Sequence, residues 1–134
     1  MTVSVRFVGS GDSFGSGGRF QTCILVDGPG VRFAIDFGAS SLIALRQQGI
    51  EHNSIDAVLL THLHGDHCAG VPFMLMEAML GAKRTRPLTI AGPKDTKSRM
   101  HEIAEWKDRP VVVHCHHGPR STRACLLQIG RAHV

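Results

Sequence analysis

The feature that most constrains this chain is an apolar run, Ala57-Val58-Leu59-Leu60, followed at once by Thr61-His62-Leu63-His64-Gly65-Asp66-His67-Cys68-Ala69-Gly70. The run is short, continuous and partly β-branched, which predicts a buried strand. The polar cluster then falls where that strand leaves its sheet. In extended chain, side chains two apart share a face, so His62 and His64 point together and Leu63 points back to the core. On a helix, residues two apart do not face each other. Gly65 is read as the residue that permits a sharp turn, bringing Asp66 and His67 round to the same place.

Imidazole and carboxylate are the donor set for zinc, and also for iron or manganese. Four donors are too many for one tetrahedral ion that must also hold a water. Two ions are the more economical reading, with His62 and His64 on one and Asp66 and His67 on the other. The plain alternative is a surface loop that is His-rich by accident. Spacing, strand and glycine agree on the metal loop instead.

His62-x-His64-x-Asp66-His67 after an apolar strand resembles the signature of the metallo-β-lactamase superfamily. The opening segment, Phe7-Val8-Gly9-Ser10-Gly11-Asp12-Ser13-Phe14-Gly15-Ser16-Gly17-Gly18-Arg19-Phe20-Gln21-Thr22, is similar to the start of its ribonuclease Z-like branch. Ile35-Asp36-Phe37-Gly38 matches a further motif of the family. The resemblance runs over residues 1–100. It implies an α/β fold in which residues 1–100 form half of a metallo-β-lactamase αββα sandwich, a mixed β-sheet with flanking helices. It also implies two zinc ions in the intact fold and hydrolysis of a phosphodiester or ester by a metal-bound hydroxide. The metal ligands would be His62, His64, Asp66 and His67, with Asp66 also the proton acceptor. Asp36 would support them from behind, since such contacts orient ligating histidines. The substrate would be a small-molecule or RNA phosphodiester or ester. The family's second half, with its remaining ligands, has no counterpart here, so weak metal binding and little turnover are expected.

The chain has 134 residues, one modest domain by size, with 43% hydrophobic residues to build a core. A net charge of +4 suits an acidic partner such as RNA without establishing one. With 5% aromatics and no Tyr, no stacking platform for single-stranded nucleic acid is evident. Cys23, Cys68, Cys115 and Cys125 form no C-x-x-C pair and suggest no secreted disulfide scaffold. Neither a signal peptide nor an apolar run of membrane-spanning length is present in the sequence, so a cytoplasmic location is the default expectation.

Along the chain, alternation predicts a strand over residues 2–8 and the glycine-rich stretch 9–18 a loop, which the resemblance would pack beneath the metal site. Strands are expected over 22–26 and 31–35, joined by the turn Asp27-Gly28-Pro29-Gly30. A helix is expected over 40–48, stopped by Gly49. His52 is expected to be solvated. Val71-Pro72 starts a helix through Leu80, with its methionines against a sheet. Lys83-Arg84-Thr85-Arg86 reads as a solvated loop, or as a basic run steering phosphates. A strand over 88–91 and a helix from Lys94 through Ile103 follow. Without its second half, one sheet face should be uncovered and invite self-association.

From His101 the pattern changes. Val111-Val112-Val113-His114-Cys115-His116-His117-Gly118-Pro119-Arg120-Ser121 reads as strand, loop and helix, and resembles the active-site loop of rhodanese-like sulfurtransferases. Residues 101–127 are assigned to this fragment. In that alternative Cys115 is the nucleophile, held as thiolate by loop N–H groups and the helix N-terminus, and Arg120 and Ser121 bind an anion. Pro119 lacks an N–H for such a cradle, and the fragment is too short for a sulfurtransferase domain. His114, His116 and His117 could instead complete the metal site. Residues 128–134, Gln128 to Val134, equal the translation of CAG ATC GGA AGA GCA CAC GTC. After its first base this resembles a short-read sequencing adapter. They are read as a non-native tail, which makes a non-functional chimeric fragment the third reading.

Overall fold

A computed structural model describes residues 2–104 and 113–115. Six strands form one sheet in the order β1 to β6: Ser4–Gly9, Cys23–Gly28, Val31–Ile35, Ala57–Leu59, Thr89–Gly92 and Val113–Cys115. The first three strands are joined as antiparallel hairpins, and β3, β4, β5 and β6 run parallel. The helices are α1 (Ser41–Gln47), α2 (Gly65–Cys68), α3 (Val71–Leu80) and α4 (Thr96–Ala104). Pro72 sits in the first turn of α3, where its missing N–H has no intrahelical partner to lose. The architecture is mixed α/β. Among the described residues no helix is long and apolar enough to cross a membrane.

The two faces of the sheet differ. On one, Val8, Cys23, Leu25, Ala34, Val58, Leu60 and Ile90 are buried together with Ala44 and Leu45 of α1, Val71, Met74 and Leu75 of α3, and Met100 of α4. Burial pushes the Cys23 thiol up to about 12. The other face carries two rows that cross the sheet in register. One is Val5, Val26, Phe33, Ala57 and Thr89; the next is Phe7, Ile24, Ile35, Leu59 and Ala91. Phe7 is 67% exposed, and Val5, Val31 and Leu59 on the same face are exposed as well. Among the described residues this leaves an exposed apolar face, the kind of surface that favours association. The purified chain is therefore expected to self-associate as concentration rises, and Phe7→Lys to suppress it. Light scattering across a dilution series checks this; a parent chain that stays monomeric at high concentration would sink it.

Two expectations are corrected at the foot of the parallel strands, the end away from the histidine loop. His52 lies in a short 3-10 turn, His52–Ser54, and is 6% exposed rather than solvated. That turn packs against α1. Its Nδ1 faces the Glu51 carboxylate at 3.4 Å, while Nε2 is buried without a partner. Arg84 is likewise buried rather than solvated. Its guanidinium donates to the carbonyls of Asn53, Arg86 and Pro87, and Arg86 pairs with Asp56. Loop carbonyls thus absorb the charge, as a buried cation requires. Burial, and then the neighbouring Arg86, lower Arg84 to about 10, against the pull of Asp56. Arg84 is a strut between loops preceding β4 and β5, and steering of phosphates toward the His62 end is not its task.

Candidate metal loop

The loop begins where β4 ends. Leu60 still donates its N–H to the carbonyl of Ala91 at 2.7 Å, and the chain then turns out of the sheet at Thr61. The residue that anchors it comes from the neighbouring strand. Asp36, one position past β3, has a left-handed backbone (φ 59), a conformation that aspartate tolerates better than most residues. The residue is 2% exposed. One carboxylate oxygen accepts from the Thr61 N–H at 2.8 Å; the other accepts from the Thr61 hydroxyl at 2.8 Å and lies 2.7 Å from His67 Nδ1.

This arrangement fixes two imidazoles. A carboxylate can only accept, so His67 Nδ1 carries a proton, and in the neutral ring Nε2 presents its lone pair. The Thr61 hydroxyl has one hydrogen, given to Asp36, so it accepts from His62 Nδ1 at 3.0 Å. That leaves the His62 Nε2 lone pair open as well. The His62 ring lies 3.9 Å from that of His67 and 4.8 Å from that of His64, centroid to centroid. Asp66 Oδ2 stands 3.3 Å from His67 Nε2. Burial raises the Asp66 carboxyl, but the Ser13 hydroxyl, its own backbone N–H, and His67 and His62 together hold it below its ordinary range.

The backbone docks as tightly as the side chains. Phe37 donates to the carbonyl of His67 at 2.7 Å, and Gly70 donates to that of Phe37 at 2.9 Å. A Cβ on Gly38 would overlap the Asp66 carbonyl oxygen, and one on Gly70 would overlap the Gly38 carbonyl oxygen. Two glycines thus let two backbones touch, with the buried Phe37 ring between them and the core. Gly65 needs no special freedom: it opens α2 with space around it, so the turn comes from α2 itself, whose N-cap is His64.

The structure thus gathers His62, His64, Asp66 and His67 above Asp36. Among the described residues, no three His, Cys, Asp or Glu side chains form a ready cage for a single ion. The donors do fit metal binding in their chemistry, because the network leaves two imidazole lone pairs free beside a carboxylate. Sequence reading missed Thr61 and Ser13, since hydroxyls carry no ligand signature. Adjacency of Thr61 to His62 was the one available signal. Of the alternative site, Cys115 ends β6, pairing in register with Gly92, while Arg120 and Ser121 lie outside the described residues, as do the segments 105–112 and 116–134.

Residues 3–103 match the family described as anti-Pycsar protein Apyc1. The chain is 42% identical over 77 residues to the ribonuclease Z of Lachnoclostridium phytofermentans, covering 58% of this chain and 25% of that protein. The crystal structure of the short form of human tRNase Z superposes with a TM-score of 0.70 at 25% identity, over 87% of this chain and 45% of that one. The metallo-β-lactamase fold protein YhfI from Bacillus subtilis superposes with a TM-score of 0.66 at 20% identity, over 91% and 50%. The chain therefore spans about a quarter of the length of that curated relative and about half of those solved chains. With the family match spanning most of its length and the sheet and loop arranged as described, this chain belongs to the anti-Pycsar protein Apyc1 family and is ribonuclease Z-like, with a metallo-β-lactamase fold.

Proposed function

We propose that the loop from Thr61 to Gly70 is one side of the metal site of a zinc-dependent phosphodiester hydrolase. The observation that supports this most directly is the chain of contacts from Asp36 through Thr61 to His62 and from Asp36 to His67. In the neutral rings it puts the protons on Nδ1 and turns the Nε2 lone pairs away from Asp36, that of His67 toward Asp66, the form in which imidazole binds a divalent ion. The named activity of the ribonuclease Z relative supports RNA as the substrate class; an ester substrate has less behind it.

Zinc lowers the pKa of its bound water to about 7, which supplies a nucleophile at neutral pH. The chain's own residues do the rest. His62 and His64 would hold one ion, and Asp66 and His67 the other. Asp36 keeps His67 in one tautomer and one orientation. The Asp66 carboxyl, held below its ordinary range, is ionised at neutral pH and can accept a proton. Two side chains per ion is one fewer than a catalytic zinc ordinarily takes from protein, so binding by this chain is weak and turnover slight.

Isothermal titration with zinc tests the assignment. The parent chain should bind weakly, with dissociation in the micromolar range or above, and His62→Ala/His64→Ala should lose at least one equivalent. Unchanged zinc binding in the double variant overturns it, and so does tight, two-equivalent binding by the parent chain.

A further inference from the structure

The foot of the fold carries a groove that the metal chemistry does not use. It lies between the C-terminal ends of α1 and α3, holds about 510 Å³, and has Arg46, Ile50, Glu51, His52, Glu77 and Ala82 in its lining. None of its lining residues belongs to the metal loop. Its charged groups lean to the negative side. Glu77 pairs with Arg46 at 2.7 Å, and its carboxylate rests over Gly81, where a Cβ would collide with it. Glu51 accepts from the Asn53 N–H at 2.9 Å and faces His52 Nδ1 at 3.4 Å. One guanidinium thus stands against two carboxylates in the lining. Helix C-termini add partial negative charge; α1 answers its own with Arg46, whereas α3 has no basic residue in its last turn.

His52 is the observation that points to a ligand. The residue is 6% exposed, and its Nε2 is buried without a hydrogen-bond partner. With the Glu51 carboxylate beside Nδ1, the neutral ring carries its proton there and presents Nε2 as an acceptor. A buried polar atom without a partner is uncommon in a folded protein and marks a missing donor. A group with several N–H donors and a positive charge answers the imidazole and the two carboxylates together, through charge-assisted hydrogen bonds. Ile50 and Ala82 give the same groove apolar surface for a short carbon chain.

We propose that this groove is a second binding site, for a small primary amine in its ammonium form. The ammonium N–H groups are shared among His52 Nε2, Glu51 and Glu77, and the alkyl part lies against Ile50 and Ala82. The site stands at the end of the sheet away from the histidine loop and is independent of the hydrolase reading.

The test is an NMR titration of the full 134-residue chain with butylammonium chloride and with 1-butanol, at constant ionic strength. The probes share the carbon chain and differ in the charged head. Butylammonium should saturate, move the His52 Nε2 resonance, and bind on the order of tenfold more tightly than butanol. Glu51→Gln keeps an oxygen for Asn53 and removes one charge, and should abolish most of that preference. Its side chain is 69% exposed, so this variant stays folded and decides the matter even where His52→Phe is unstable. A folded His52→Phe should lose the preference and keep butanol binding. Equal binding of amine and alcohol by the parent chain overturns the proposal. So does a preference that survives both substitutions. A His52 Nε2 resonance that butylammonium does not move identifies a buried water as its partner and overturns it as well. Zinc titration in the presence of the amine should be unchanged; competition would place the amine at the metal loop and sink the second site, whatever becomes of the hydrolase reading.

Discussion

Asp36→Ala is expected to weaken zinc binding by about 10–100-fold although Asp36 is not itself assigned to the ion. The aspartate is the common acceptor for the Thr61 N–H, the Thr61 hydroxyl and His67 Nδ1. Removing it leaves three part-buried donors without their acceptor and frees His67 to rotate and change tautomer. Water reaches Thr61 and His67, so each lost bond costs about 1 kcal/mol, and the left-handed backbone at this position suits alanine poorly. The melting temperature should therefore fall by several degrees. Asp36→Asn separates the two effects. Asparagine tolerates the backbone and keeps one oxygen for Thr61, but it offers His67 an NH₂ group, so His67 Nδ1 must become the acceptor and Nε2 the N–H. Stability should largely return while zinc affinity does not. Zinc titration beside thermal unfolding of both variants decides the matter; wild-type affinity in Asp36→Ala would remove this residue from the account of the site.

Gly70→Ala is expected to destabilise the fold by about 3 kcal/mol, the upper end for overpacking. The backbone torsion at Gly70 is ordinary, with φ −81, so the cost is steric alone. The added methyl would overlap the Gly38 carbonyl oxygen and come within 2.8 Å of the Phe37 ring. Neither neighbour can move cheaply. The Gly38 carbonyl accepts from Ser41 at 2.9 Å, the Gly38 N–H donates to Thr22, and Phe37 is buried. Relief has to come from the metal loop, so zinc affinity should fall together with stability. Gly30→Ala is the control. That glycine has φ +73 and open space around it, so alanine there meets only a torsional cost of about 1 kcal/mol. Chemical denaturation of the two variants side by side measures the difference. Equal losses would mean that the contact between the loop following β3 and the metal loop is not tight in solution.

Much of the architecture was readable from local pattern. The strand over 31–35, the helix following Ser40 and the strand ahead of the histidines lie within a residue or two of expectation, because each has a period or a run that only one secondary structure can bury. The failures share a cause. His52 and Arg84 were read by residue type, as charged or polar groups belonging in water, yet both are buried. Arg84 is closed in by the distant carbonyl of Asn53 beside the nearby ones of Arg86 and Pro87, and His52 by the packing of its turn on α1, and those distant contacts form only when the chain folds.

The sequence by itself determined the donor cluster: His62, His64, Asp66 and His67 at the end of an apolar strand, with Asp36 at the end of another. Strand periodicity and residue chemistry are local properties, so spacing was enough to read them. Only the tertiary structure decided how the cluster is held. Parallel pairing of β3 with β4 sets Asp36 beside Thr61, 25 residues away in the chain, and glycines 38 and 70 let the following backbones close to contact. Those relations depend on which segments become neighbours in space, a property of the packed sheet that no stretch of the chain carries alone.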